Sequence, residues 1–536
     1  HALFSLGRFE DAIKQYKKLR SIQPNLAKAY ESCANALQAL KQYDEALENY
    51  NQSIALDPNT AEGYSNRGAL YQALQQYDEA ILDYDRAISI NPSFVDAHHN
   101  RGNVMRKLGR QEEAEKSYRN TLALEPNYPY LRGDYINTKL WLCDWSNYHQ
   151  QVSELTSSIE HDIKCSSPFW VITLIPSLAI QYKATKFWAM EKYPENPSLS
   201  ALTKRSDFKK IRIGYFSADF HHHATSLLMA ELFERHDRDS FEIFAFSFGP
   251  SQQDPMRQRL QATFDHFFDV NDKSDEEVAR LSRSWGIDIA VDLKGYTQDS
   301  RTGIFAYRAA PIQVNYLGYP GTMGVPYIDY LIADRTLIPE VSRQYYSEKI
   351  VYLSGSYQVN DRRRKISDRV FTRAELGLPE QAFVFCCFNN NYKITPDMFD
   401  IWVRILKAVP GSVLWLFEAS PTASANLRKE AALRGLEPER IVFASRMESS
   451  EHLARHRLAD LFLDTIPCNA HTTASDALWA GLPVLTLMQE SFASRVAGSL
   501  LKAMGLPELI ADTPEAYEAL AIDLATHSDK LKAIKT

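Results

Sequence analysis

The stretch LKQYDEALENY at residues 40–50 returns as LQQYDEAILDY at 74–84, and in looser wording as LGRFEDAIKQY at 6–16 and LGRQEEAEKSY at 108–118. The interval is 34 residues at every anchor: Pro24, Pro58, Pro92 and Pro126; Ala12, Ala46, Ala80 and Ala114; Tyr16, Tyr50, Tyr84 and Tyr118. Each phrase reads as a turn followed by the second helix of a pair. The proline after it ends that helix, because it lacks an amide donor and clashes with the preceding turn. Small residues recur at Ala34, Gly68 and Gly102, where two helices of a pair must approach closely.

A helical pair repeating at this interval is the tetratricopeptide period, and stacked pairs form a superhelix with a concave face lined by first helices. Ser32, Asn66 and Asn100 share one register on those helices. A side-chain amide both donates and accepts, so Asn66 and Asn100 could hold an extended peptide backbone whatever its sequence. The competing reading is a solvated polar surface. The chain opens inside a repeat, so further sequence is expected upstream.

Beyond the repeats, residues 136–205 carry aromatic, helical text in which Trp141, Trp145, Trp170 and Trp188 are expected to pack a connector against its neighbours. Strands then alternate with helices, which predicts parallel sheets. IRIGYFSA, FEIFAFSF, IDIAVDL, IQVNYLG and IDYLIAD are expected strands of one half, at 206–360. FVFCCF, SVLWLF, RIVFAS, LFLDT and LPVLTL are those of a second, at 361–536, with a hinge at 357–378. The predicted architecture is a repeat superhelix over 1–135, the connector, and two Rossmann-like α/β halves facing across a cleft.

Ligands of such halves sit at the carboxyl ends of the strands. There DFHHHATS presents His221, His222 and His223 before a helix expected to begin near Ser226, capped by Thr225 or Ser226. Three consecutive histidines suit a metal poorly, and a polar catalytic or substrate contact better. VDLKGYT sets Asp292 near a strand end, and VNYLGYPGTMG supplies Gly318, Gly321 and Gly324 around Pro320, where backbone can approach a sugar or phosphate. FNNNYKI presents Lys393, whose charge could stabilise a departing diphosphate unless it is an ordinary surface lysine. In CNAHTTASDALWAG, His471, Thr472 and Thr473 precede a helix whose free amides suit an anion, or one threonine merely caps it. Asp476 could accept from ribose hydroxyls. His452 and Arg455 lie three apart on a helix and could flank a base or be solvated.

Composition narrows the classes. The net charge is −7, with no long basic tract beyond 362–365, so nucleic acid is not an expected partner. Six scattered cysteines form no metal-binding spacing and suggest reduced thiols in a cytoplasmic protein. No apolar run approaches a membrane span. The loops lack a DxD-like carboxylate pair, so the expected chemistry is group transfer without a metal or cofactor.

The order of motifs, from the repeats through CDW at 143–145, GYFSADFHHHATS, KGYT, PIQVNYLGYPGT, FNNNYKI, LADLFLDT and NAHTTASDALWAGLPVLT, resembles the O-linked N-acetylglucosamine transferases and their SPINDLY-type bacterial relatives, of the GT-B fold. The resemblance implies inverting transfer from a UDP-sugar to Ser or Thr of a protein acceptor. His223 then matches the active-site histidine and Lys393 the lysine on the leaving diphosphate. His452 and Arg455 match uracil contacts; His471, Thr472 and Thr473 the diphosphate loop; Asp476 the ribose contact. Leu317, Gly318, Tyr319 and Pro320 match the wall beside the sugar, and Asn66 and Asn100 the asparagines that hold acceptor peptide. His223, Asp292, a donor phosphate oxygen or water could each take the hydroxyl proton.

Three departures accompany it. The insert between the halves of animal members is absent, as in bacterial-type enzymes; Asn390 stands where animal members have Gln; and the chain stops short of the usual C-terminal helices. The rivals are fucose transfer from GDP-fucose, glucosylation of Asn, and a repeat scaffold with an inactive transferase half. His471 and Asp476 favour UDP over GDP. The sequence carries no statement of oligomeric state.

Overall fold

The computed structural model describes residues 2–202, 209–251 and 253–535. The chain divides into two compact units, His1–Lys139 and Leu140–Thr536.

In the first unit, Phe9–Ile22, Tyr43–Leu56, Tyr77–Ile90 and Gln111–Leu124 are the second helices, each stopping two residues before its proline. Between them run the first helices Ala27–Ala39, Ala61–Ala73 and Val95–Lys107. The recurring tyrosines Tyr50, Tyr84 and Tyr118 are fully buried. They explain the small residues: a Cβ on Gly68 would lie 2.9 Å from the Tyr84 ring, and one on Gly102 only 2.5 Å from Tyr118. The helix pair closes because glycine leaves room for the ring. On the neighbouring register Asn66 Nδ2 donates to Glu31 Oε1 at 2.9 Å, and Lys28 Nζ donates to the same oxygen at 2.8 Å. Asn66 and Asn100 are both half-buried, whereas Ser32 is buried.

The second unit holds two parallel sheets. The first runs β1 (Ile211–Ser217), β2 (Phe241–Ser247), β3 (His266–Asp269), β4 (Ile289–Asp292), β5 (Ile312–Asn315), β6 (Tyr330–Ala333) and β7 (Lys349–Tyr352), in the order β3-β2-β1-β4-β5-β6-β7. The second runs β8 (Val384–Cys387), β9 (Val413–Phe417), β10 (Ile441–Ala444), β11 (Leu461–Leu463), β12 (Val484–Leu487) and β13 (Ile510–Ala511), in the order β10-β9-β8-β11-β12-β13. All ten expected strands are present, joined by β3, β7 and β13. Those three are edge or near-edge strands with little continuous apolar text, so alternation with helices did not expose them. The expected boundary between 205 and 206 lies outside the described residues.

Trp141 and Trp170 pack against Tyr392, with ring centroids 5.1 and 6.1 Å apart, and Trp145 against Phe399 at 5.2 Å. Trp188 packs instead on the core of the first sheet. The two halves are tied by polar contacts as well: Arg495 Nε donates to the Thr336 carbonyl at 2.5 Å and Ser499 Oγ to Asp334 Oδ2 at 2.6 Å.

Both sheets reverse their winding once, between β1 and β4 in the first and between β8 and β11 in the second. At such a point neighbouring crossovers leave on opposite faces, and a crevice opens at the carboxyl ends of the strands. The loops that bear His223, Lys393 and His471 follow the strands that flank these two places, and Asp292 ends one of those strands.

Candidate functional site

At the first switch point, β1 leads into Asp219 and His223, and β4 ends at Asp292 with Lys294 two residues on. Lys294 Nζ donates to both carboxylate oxygens of Asp219, at 3.0 and 2.9 Å, and the two residues are 5% and 6% exposed. His223 Nδ1 lies 3.3 Å from Asp219 Oδ2, and Thr225 N also approaches it, at 3.2 Å. His223 is thus itself the cap of the helix Ala224–Glu234, which begins earlier than expected. Thr225 Oγ1 and Ser226 Oγ, the expected caps, turn back to Asp219. The imidazole is exposed at 43% of its side chain. Desolvation by the surrounding loops lowers its pKa, Asp219 opposes this, and Lys294, His221 and His222 add to it. Neutral imidazole is therefore favoured at neutral pH.

Asp292 is 2% exposed, and its Oδ1 accepts from the amides of Lys294 at 2.8 Å and Gly295 at 3.1 Å. Burial pushes its carboxyl up despite those bonds. Its observed work is to hold the loop that aims Lys294. The loop after β5 rests on the same segment: a Cβ on Gly318 would fall 2.0 Å from the Leu293 carbonyl, so only glycine permits the approach. Leu317 beside it has φ +67, a left-handed conformation uncommon for leucine. Tyr319 and Pro320 are buried, which leaves Leu317 and Gly318 as the half-exposed part of this wall.

At the second switch point, Lys393 follows β8 and donates from Nζ to the Asn469 carbonyl at 2.6 Å. It is half-buried, not the freely solvated lysine of the competing reading. Burial alone would lower its pKa, but Cys468, Tyr392 and Asp464 outweigh it and hold the ammonium above its ordinary value. Asp464, at the end of β11, organises the opposing loop by accepting from Thr465 N at 2.8 Å and Ala470 N at 2.5 Å. Burial pushes its carboxyl up to about 6.

That loop ends at His471, which bonds through Nε2 to the Ala493 carbonyl at 3.1 Å and whose pKa burial lowers to about 3. His471 stays neutral and precedes the helix Thr472–Trp479, whose start has no side-chain cap. Neither threonine caps it: Thr473 Oγ1 donates to Asn389 Oδ1, and Asn389 Nδ2 donates to Thr465 Oγ1 at 2.8 Å. The first amides of the helix are left for another acceptor. Asn390 is exposed.

Arg455 is buried rather than solvated. It stacks over Phe388 at 4.6 Å from the ring centroid and donates from Nη1 to the Ser445 carbonyl at 2.6 Å. His452 lies 4.8 Å from His456, centroid to centroid, and 5.3 Å from Phe388. Burial first, then His456, Arg455 and Arg364, lower its pKa to about 2. Asp476 Oδ1 accepts from Arg364 Nη2 at 2.6 Å. Burial raises the Asp476 carboxyl in spite of that arginine.

The candidates thus form two clusters: His223 and Asp292 with the loop of Gly318 on the first sheet, and Lys393, His471, Thr473, Asp476, His452 and Arg455 on the second. Asn66 and Asn100 belong to the other unit. Sequence reading passed over Lys294, Asp219 and Arg364. A lysine directly after a strand at a switch point was a usable signal; the partner of Arg364, 112 residues away, was not. Among the described residues no group of three His, Cys, Asp or Glu is arranged to hold a metal ion. No helix among them is long and apolar enough to cross a membrane.

Comparison with known proteins agrees with this arrangement. Glycosyl transferase family 41 matches residues 192–371 and 364–536, and tetratricopeptide repeat families match 1–41, 35–75, 61–94 and 95–128. A probable UDP-N-acetylglucosamine–peptide N-acetylglucosaminyltransferase SEC of Arabidopsis thaliana is 38% identical over 74% of this chain and 43% of its own length. The UDP-N-acetylglucosamine–peptide N-acetylglucosaminyltransferase of Caenorhabditis elegans is 30% identical over 73% of this chain and 45% of its own. The chain therefore spans less than half the length of these relatives. A mutant of the Thermobaculum terrenum O-GlcNAc transferase superposes with a TM-score of 0.68 at 28% identity, covering 95% of this chain and 91% of that one. With tetratricopeptide repeats ahead of two parallel-sheet halves and the family match spanning both halves, the chain belongs to glycosyl transferase family 41.

Proposed function

We propose that this chain is an inverting, metal-independent glycosyltransferase. It moves N-acetylglucosamine from a UDP-sugar to Ser or Thr hydroxyls of protein acceptors that its repeats hold. The observation that carries the reading is a half-buried cation beside an uncapped helix start. Lys393 follows β8 at the second switch point, and among the described residues no carboxylate forms an ion pair with it. The uncapped start of Thr472–Trp479, in the loop whose Asn469 carbonyl Lys393 bonds, offers free amides to an anion. A nucleoside diphosphate satisfies both. The relatives named for UDP-N-acetylglucosamine support the choice of donor.

In the reaction the acceptor oxygen forms a bond to the anomeric carbon as the bond from that carbon to the β-phosphate oxygen breaks. Lys393 neutralises the charge that grows on the leaving diphosphate, a role a divalent ion fills elsewhere. The hydroxyl proton passes to the neutral imidazole of His223, and Asp219, 3.3 Å from its Nδ1, stabilises the imidazolium that forms. Asp292 acts through the loop it anchors.

Calorimetry with UDP and GDP tests the donor: UDP is expected to bind at least about tenfold tighter, the worth of one or two base-specific hydrogen bonds. Tighter GDP binding would turn the reading toward GDP-fucose, and no binding of either at millimolar concentration toward a scaffold. For the acceptor, Asn66→Ala combined with Asn100→Ala is expected to raise the KM for protein substrates about tenfold while sparing donor hydrolysis. Unchanged acceptor kinetics would make these asparagines mere solvated surface.

A further inference from the structure

Arg362, Arg363 and Arg364 form the basic run of the sequence, and each meets an acid. Arg362 Nη2 donates to Glu231 Oε1 and Arg363 Nη1 to Glu234 Oε2, both at 2.7 Å. Both acids lie on the helix Ala224–Glu234 that His223 caps. Arg364 turns to the other half. Its Nη2 bonds Asp476, its Nη1 donates to Asn360 Oδ1 at 3.4 Å, and its carbonyl accepts from Trp479 Nε1 at 3.3 Å. The Arg364 side chain is 4% exposed, against 62% and 66% for Arg362 and Arg363. The arginine ends of the first two pairs are thus solvated, although Glu231 itself is buried, and the third pair is enclosed on both sides.

Resting on the UDP-sugar reading above, we propose that Arg364 is a positioning residue for the donor's ribose: it pins one oxygen of Asp476 so that the other faces the ribose diol as a fixed acceptor. Among the described residues no group donates to Asp476 Oδ2, and Asp476 lies within the helix that starts at the diphosphate loop. The direction of the Asp476 pKa agrees: a carboxyl this enclosed drifts toward its neutral form, which would present a proton instead of a lone pair, and Arg364 opposes that drift. The guanidinium suits the task because its rigid planar fork bonds Asp476 and Asn360 together.

The test compares binding of UDP, 2′-deoxy-UDP and 3′-deoxy-UDP to the full chain by calorimetry. The unmodified protein is expected to prefer UDP over at least one deoxy form by about tenfold, the worth of a hydrogen bond to a charged acceptor. Arg364→Met is expected to shrink that preference to about twofold or less, with deoxy-nucleotide affinity nearly unchanged, and Arg364→Lys to restore part of it. Arg362→Gln, which loosens the pair with Glu231 without touching Asp476, is expected to keep the full preference. If Arg364→Met keeps the tenfold preference, the positioning role is overturned while the ribose reading stands. If Arg362→Gln loses it equally, the arginines are only a clasp between halves, and the role is again overturned. If the unmodified protein shows no preference, the ribose reading itself falls and Arg364 with it. Should Arg364→Met not fold, full preference in a folded Arg364→Lys with its UDP affinity intact would refute the need for the fork.

Discussion

Replacing Lys393 by methionine is expected to slow sugar transfer by about 10³-fold while the protein stays folded and still binds UDP, since removing one preorganised charge or donor from a leaving oxyanion has an effect of this size or larger. The expectation rests on a cation that is half-buried, is kept protonated by its surroundings and donates to the Asn469 carbonyl without an ion pair among the described residues. Losing that hydrogen bond costs about 1–2 kcal/mol, and relief from desolvating an ammonium offsets part of it. Melting should therefore shift by a few degrees while turnover collapses. Arginine should rescue poorly, because its fork cannot occupy the place of a point charge. Loss of less than about tenfold in kcat would remove Lys393 from the chemistry.

Lys294→Met is expected to be the most destabilising single change near the site, by about 3–5 kcal/mol, because it strands the Asp219 carboxylate in the protein. A double variant, Lys294→Met with Asp219→Asn, should recover most of that loss, and thermal unfolding of the three proteins checks it. The same variants test the catalytic role proposed for His223. Desolvation and the positive Lys294 both hold its pKa below the ordinary histidine value, so its neutral, basic form persists as pH falls and the acid limb of kcat/KM should lie below pH 6.5. In Lys294→Met the unneutralised Asp219 favours imidazolium, and the limb should move to higher pH. In the double variant it should return downward. A limb that stays fixed through all three would assign the proton to another acceptor, such as a donor phosphate oxygen.

The legible part of this protein is the part written locally. A helix pair that must seat a tyrosine ring every 34 residues repeats Gly68 against Tyr84 and Gly102 against Tyr118, so period and packing carry the same information. Buried parallel strands such as residues 383–388 are continuous apolar runs and announce themselves, whereas β3, with a histidine and an aspartate among its four residues, does not. Loops after strands could be searched because a parallel sheet sends its ligands there. That search singled out His223, Lys393, His471 and Asp476 as candidates but not what surrounds them.

Sequence by itself therefore determined the repeat array, the two α/β halves and the loops that bear polar groups, because periodicity and strand-end position are properties of neighbouring residues. Only the tertiary structure decided that Lys294 is neutralised by Asp219, that Arg455 is buried on Phe388 and that Arg364 holds Asp476. Each of those is a pairing between segments far apart in the chain, brought together by the order in which the strands cross. The value of a buried charge depends on which partner arrives, and no local pattern encodes that.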